Sequence, residues 1–368
     1  MTEVGLLPAL GNGIRTLGET GQQSRLVDGY LRPYASAFDR VLYFSYLPES
    51  LAEFTDDHAL LDRVRVLSPR RAMARGRRAI SMPWAHAADF RRCGALRVFQ
   101  ITGVIPALIA RERFGVPYVT TYGFWYGQLS RLGPKRLLKG VVERVGLRYA
   151  AAVIATTADL QARAAPTARR VELIPNGVDV EAFRPADVER PRSRRILYVG
   201  RLSPEKNLRT VIQATLSAGA GSTLRVVGRG PLRVDLEAQA RKQGVPVEFL
   251  GVVEQAKLPA VYASSDVFVL ASFTEGHPKV LLEAMSCGLP CVASDCVGNR
   301  SLVTDGETGL LFDPHRPEDL AACLRRVLDD PALAARLGKA GRALVAERYD
   351  LSLLVAREIA LVQSVARR

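Results

Sequence analysis

Two glutamates eight residues apart, Glu275 and Glu283 in "EGHPKVLLE", are the residues whose spacing most invites chemistry. A glycine, a proline and a lysine stand between them, then an apolar run. Three readings are open: an acid/base pair that cuts a sugar, a clamp that holds one, or the charged ends of a helix start. Pro278 suits the first helical turn, where its missing N–H costs no bond. The N–H groups of His277, Lys279 and Val280 would then face out of the helix end and attract an anion such as phosphate. Gly276 removes the side chain that would block approach. A glutamate can accept two hydrogen bonds, which fits vicinal hydroxyls of a sugar or a ribose.

Two further loops carry compatible residues. "VGRLSPEKN" places Gly200 and Arg201 at a strand exit and Lys206 near a helix start. "VVGRGP" places Gly228 and Gly230 where backbone can approach a ligand closely. All three loops follow β-rich runs, and open parallel sheets bind ligands at the carboxyl ends of their strands. The cations would face phosphates and the carboxylates hydroxyls, so the implied ligand is sugar–diphosphate–nucleoside. "GRGPLR" departs from a dinucleotide fingerprint at Arg233. A P-loop, G-x-S-x-G and Asp-x-Asp are all absent, so no metal is expected on the diphosphate by that last device. Cys287, Cys291 and Cys296 are not spaced as zinc ligands, and with Cys93 and Cys323 they read as reduced thiols.

The elements that must position these loops are strands alternating with helical patterns. Strands are expected at Val4–Pro8, Arg40–Tyr46, Val64–Leu67, Arg97–Ile101, Tyr118–Thr121, Ala152–Ala155 and Val171–Ile174. A second set is expected at Arg195–Val199, Leu224–Val227, Val247–Leu250, Val267–Ala271, Pro290–Ser294 and Gly309–Phe312. The alternation implies α/β architecture with two doubly wound, Rossmann-like domains. "IPNGVDVEAFRPADVERPRSRR" is the linker, giving domains 1–185 and 186–348 and a C-terminal helix, 349–368, packing back on the first domain.

The 368 residues suit two cores, and the composition, 48% hydrophobic and 24% charged, is that of a globular protein. No run of about 18 apolar residues predicts a membrane span, and "MTEVGLLPALGNGIR" does not read as a signal peptide. A cytoplasmic protein is expected. The net charge is +14, and residues 1–185 hold 26 Lys and Arg against 16 Asp and Glu. That excess suits an anionic partner, although Arg outnumbers Lys 44 to 7, which a genome bias would also produce. Two basic stretches could meet an anionic membrane at the inner face of the plasma membrane. One holds Arg77, Arg78 and Trp84, the other Lys135, Arg136, Lys139 and Arg144. No nucleic-acid motif is present, and no nucleic-acid partner is expected.

These motifs, with "EGHPKVLLEAMSCGLPCVASD" and "GNRSLVTDGETGLLF" after them, resemble the donor-binding domain of retaining glycosyltransferases of family four, the group 1 glycosyltransferases. The resemblance implies a GT-B fold, two Rossmann-like domains facing across a cleft. It implies a retaining hexosyltransferase that moves sugar from a UDP- or GDP-sugar to a glycan or a polyprenyl-diphosphate-linked acceptor in cell-envelope synthesis. No cofactor is implied, since the nucleotide-sugar is a substrate. Arg201 and Lys206 would hold the diphosphate, Glu275 the donor sugar and Glu283 the ribose. Gly276, His277, Pro278, Lys279 and Val280 would present backbone, and Val252 would lie by the base. Gly13 would belong to the family's glycine loop in "GNGIRTLGETGQQ". Tyr122 stands where the family often has a histidine near the donor sugar or acceptor. A nucleotide-sugar epimerase and a glycoside hydrolase are the alternatives.

Overall fold

The computed structural model describes residues 3–19, 21–124, 134–186 and 192–367. The chain forms two compact units, Met1–Pro175 with Ser352–Arg368, and Asn176–Leu351.

The first unit is built on β1 (Glu3–Leu7), β2 (Arg40–Phe44), β3 (Val64–Leu67), β4 (Cys93–Val98), β5 (Tyr118–Tyr122), β6 (Ala152–Ala155) and β7 (Val171–Leu173). All pair in parallel, in the order β3-β2-β1-β4-β5-β6-β7. The second unit holds β8 (Arg195–Val199), β9 (Thr223–Val227), β10 (Val247–Gly251), β11 (Val267–Leu270), β12 (Cys291–Ser294) and β13 (Leu310–Phe312). They are also parallel, in the order β10-β9-β8-β11-β12-β13. Helices cover both faces of such sheets, which is why the inner strands read as unbroken apolar runs. Each sheet reverses strand order once, between β1 and β4 and between β8 and β11. Loops leaving those strands diverge there and open a crevice.

Two expectations shift. The fourth strand lies earlier than Arg97–Ile101, because Ile101 opens a 3-10 turn and Cys93–Leu96 pair instead. Arg97 is nevertheless buried. Its Nη2 donates to Glu358 Oε2 at 2.7 Å and to Thr121 Oγ1 at 2.7 Å, and Tyr34 donates to Glu358 Oε1 at 2.7 Å. Burial opposes the charge, but Glu358 outweighs it and raises the Arg97 pKa. This network sits on the final helix, Leu351–Val365, which belongs to the first unit from Ser352 onward.

The division between units falls after Pro175, not at 185. Residues beyond Pro175 are committed to the second core: Val178, Val180 and Phe183 are buried in it. Val178 also forms a parallel bridge with Asp350, with Val178 N–H donating to Tyr349 O at 2.9 Å and Leu351 N–H to Val178 O at 2.9 Å.

Candidate active site

The second sheet brings Lys206 and Glu275 together. Lys206 ends a 3-10 turn, Pro204–Lys206, in the loop after β8, and Glu275 lies in the loop after β11. These strands flank the point where the order reverses, so the two loops start side by side. Lys206 Nζ lies 2.5 Å from Glu275 Oε1, with side chains 19% and 11% exposed. Ser272 Oγ donates to the same oxygen at 2.6 Å, and Ser294 Oγ holds Ser272 O at 2.5 Å. Phe273 N–H donates to Glu205 O at 2.9 Å, which joins the loops a second time through backbone.

Arg201 is in the same loop but projects outward, and its Nη2 contacts Glu205 Oε1 at 2.8 Å. Ser203 Oγ also donates to Glu205, at 2.7 Å. Partial burial opposes the Glu205 charge, but these bonds and the Arg201 charge outweigh it and lower its pKa. Gly228 closes the group from β9. Its φ is +130°, and a Cβ there would lie 1.9 Å from Gly200 O, so backbone meets backbone where any side chain would collide. Gly228 N–H donates to Gly251 O at 2.6 Å, and Val252 follows, exposed at the end of β10.

The helix after Glu275 is Lys279–Ser286, and Pro278 is its N-cap, one position earlier than the first turn expected for it. The Lys279, Val280 and Leu281 N–H groups occupy the first-turn positions that lack an intrahelical acceptor. His277, though buried, has no hydrogen-bond partner for Nδ1 among the described residues, and its ring lies 5.4 Å from that of Tyr349. Burial first, then the Lys279 charge, push His277 down to about 3, so the ring is neutral.

Glu283 has 0% exposure and so is no solvated helix residue. Tyr262 OH donates to its Oε2 at 3.1 Å. Burial, and next the Glu283 carboxylate, raise the Tyr262 pKa well above its usual value and keep the phenol protonated.

Two expected site residues have other work. Gly13 caps the short helix Ile14–Gly18, but the N–H groups of Ile14 and Arg15 are both bound, at 2.9 Å, by Glu49 carboxylate oxygens. A Cβ at Gly13 would lie 2.5 Å from Glu49 Oε1, so the glycine makes room for a protein carboxylate. Tyr122 packs in the core of the first unit, and its OH donates to Glu143 Oε1 at 2.8 Å. It shares a sheet face with Tyr118, whose OH donates to Gly146 O at 2.7 Å on the same helix, Pro134–Tyr149. The Tyr122 hydroxyl thus donates to that helix.

Of the basic residues expected at a membrane, Arg78 is 2% exposed, and its Nη2 reaches the carbonyls of Ser45 and Leu67 at the ends of β2 and β3. Arg77, Lys139 and Arg144 are exposed, as are Ile80 and Trp84. The side chains of Lys135 and Arg136 lie outside the described residues. No described helix is long and apolar enough to cross a membrane, and no three metal-ligating side chains cluster among the described residues.

Sequence reasoning missed Glu49, Ser272 and Glu205. Ser272 carried a signal, a hydroxyl at a strand exit three residues before Glu275. Glu49 carried none, since the helix N–H groups it binds lie 35 and 34 residues away and its near partner is only Ser45 Oγ.

Residues 35–182 match the family described as Glycosyltransferase Family 4, and residues 179–344 match Glycosyl transferases group 1. The 2-deoxystreptamine glucosyltransferase of Streptomyces kanamyceticus is 31% identical, over 68% of this chain and 72% of its own length. The sulfoquinovosyl transferase of Arabidopsis thaliana is 34% identical over 52% of this chain, which spans only 39% of that protein. The glycogen synthase of Mycobacterium tuberculosis is 35% identical over 55% of this chain, which spans half of it. Among solved structures, sucrose-phosphate synthase of Thermosynechococcus elongatus superposes with a TM-score of 0.82, 21% identity and 99% of both chains. HepE of Anabaena, solved with UDP-glucose, gives 0.77 at 20% identity, over 99% of this chain and all of its own. The motif loops, the two parallel sheets and these matches place the chain in the group 1 glycosyltransferases, family four, as a glycosyltransferase of GT-B fold.

Proposed function

We propose that the protein transfers a hexose, with retention, from a nucleoside diphosphate sugar to a glycan or lipid-linked acceptor. The observation that carries this reading is the Lys206–Glu275 pair at the reversal point of the second sheet, beside the first-turn N–H groups of Lys279–Ser286. A cation and helix N–H groups suit a diphosphate, and a carboxylate beside them suits sugar hydroxyls. UDP is the first nucleotide to test, because HepE binds UDP-glucose and the relative from Streptomyces is a glucosyltransferase.

In this reading the acceptor oxygen bonds to the anomeric carbon as the bond from that carbon to the diphosphate breaks. The acceptor proton passes to the leaving phosphate oxygen on the same face. Negative charge grows on the diphosphate, so Lys206, Arg201 and the helix N-terminus act mainly on the rate. Glu275 held by Lys206 and Glu283 fully buried both speak against an acid/base cutting pair, and the reading gives Glu275 to the sugar hydroxyls.

A thermal-shift panel of UDP-glucose, UDP-galactose, GDP-mannose and ADP-glucose tests the donor, because a bound donor raises the melting temperature by mass action. A shift with one of them is expected, and none with any would remove the donor reading. Proton NMR of the product, formed in excess chelator, tests retention and metal independence. An inverted anomeric coupling would contradict the first and loss of activity the second.

A further inference from the structure

The segment "IPNGVD" reads from sequence as a linker, yet its asparagine reaches the donor loop. Asn176 Nδ2 donates to His277 O at 2.7 Å, across 101 residues. That carbonyl belongs to the His277–Pro278 peptide, whose nitrogen carries no hydrogen, so the carbonyl is the only polar handle the peptide has. The following helix does little to fix it. The first helical bond to this end, Leu282 N–H to Pro278 O, is long at 3.4 Å and begins one residue later. Lys206 and Ser272 hold the Glu275 end of this stretch, and the His277–Pro278 end is held through His277 O from outside the helix.

Asn176 is itself braced. Two residues on, Val178 is locked to Tyr349 and Leu351 by the paired backbone bonds of the Val178–Asp350 bridge. Tyr349 then returns to the loop, its ring against the His277 ring, and its OH donates to Ser301 O at 3.3 Å. The loop is gripped on the His277 carbonyl by Asn176 and on the His277 ring by Tyr349, the residue before the bridge partner Asp350. The carbonyl needs a donor such as the Asn176 amide: an aspartate in its place would set two acceptors against each other.

The geometry points to Asn176 as a positioning residue for the donor, one that touches no ligand and sets the Glu275–Pro278 backbone that does. This rests on the donor reading of the loop. Donor binding then depends on a residue outside the loop motifs.

The test is calorimetric titration of UDP-glucose, or of whichever panel sugar binds best, into wild type, Asn176→Ala, Asn176→Asp and Glu283→Gln. Both Asn176 variants are expected to bind about tenfold more weakly or worse, with stoichiometry still near one. A merely structural defect would lower the stoichiometry and leave the dissociation constant of the folded fraction unchanged. Wild-type affinity in Asn176→Ala, with binding weakened in Glu283→Gln, would overturn the proposal and leave the donor reading standing. No binding to wild type would overturn both. If Asn176→Asp fails to fold, Asn176→Ala decides alone.

Discussion

The ammonium of Lys206 and the carboxylate of Glu275 are 69 residues apart in sequence and 2.5 Å apart in space. Each neutralises the other in the ligand-free protein, and Ser272 supplies Glu275 with a second donor. An incoming diphosphate would compete for Lys206, and a sugar hydroxyl could replace it on Glu275. In the proposed reaction the pair would present opposite charges to opposite ends of one bond.

Truncating Lys206 should therefore affect the chemical step most. Lys206→Ala is expected to lower turnover at saturating donor by about 10²–10³-fold, the scale for one preorganised donor to a developing anion. Arg201→Ala should follow the same direction. Release of nucleoside diphosphate, measured beside donor affinity, separates rate from binding. Turnover within a few-fold of wild type for both variants would remove them from the reaction.

Glu283 makes a different prediction, because it is buried. Glu283→Gln keeps the volume and should weaken donor binding by about 1–3 kcal/mol if the carboxylate receives ribose hydroxyls. If it only anchors Tyr262, then Glu283→Gln and Tyr262→Phe will both lower the melting temperature and leave donor affinity alone. Calorimetry with thermal melts distinguishes the two.

The buried His277 ties stability to acid. Its folded pKa is depressed to about 3 by burial and then by Lys279, against about 6.5 unfolded, so the unfolded chain binds the proton more readily. The stability it contributes is present above about 6.5 and is lost as pH falls toward 3, by up to about 1.4 kcal/mol per unit. His277→Leu should flatten this slope for the second unit. Parallel curves of melting temperature against pH, from 7 to 4, would show that His277 is not the group responsible.

Membrane association, if it occurs, should use a narrower surface than the basic sequence suggests. Arg77 and Lys139 are exposed and should each contribute about 1 kcal/mol on anionic vesicles, screened by salt. Ile80 and Trp84, four residues apart on one helix and 56% and 50% exposed, should add a part that salt does not screen. Trp84→Ala should therefore weaken flotation with vesicles even at high salt. Arg78→Glu should instead impair folding, because it buries a carboxylate against strand carbonyls. No flotation of wild type with anionic vesicles at low salt would end the membrane idea.

Strand positions and the loops that follow them were largely legible because a buried parallel strand is an apolar run and a loop at its end stands out. What escaped was charge that the fold neutralises at long range. Arg97 reads as the polar start of a strand because Glu358 lies 261 residues away. Arg78 reads as surface because the carbonyls that hold it belong to two strand ends. Gly13 reads as a ligand loop because nothing local announces Glu49. The sequence reads Glu283 as a ribose ligand, but its full burial, like that of Leu281, Leu282 and Met285 in the same helix, carries no signal in a charged residue.

The return of the last helix to the first unit also bears on how the protein is made. All seven strands of the first sheet precede Glu358 in the chain, so Arg97 waits for its counter-ion until the last helix is made. At roughly 5–20 residues per second, those 261 residues take on the order of 10–50 s. Asn176–Leu351 is complete in sequence before Ser352–Arg368 exists. The first domain therefore stays unfinished until Ser352–Arg368 is made, and its nascent sheet is the part that would call on a chaperone.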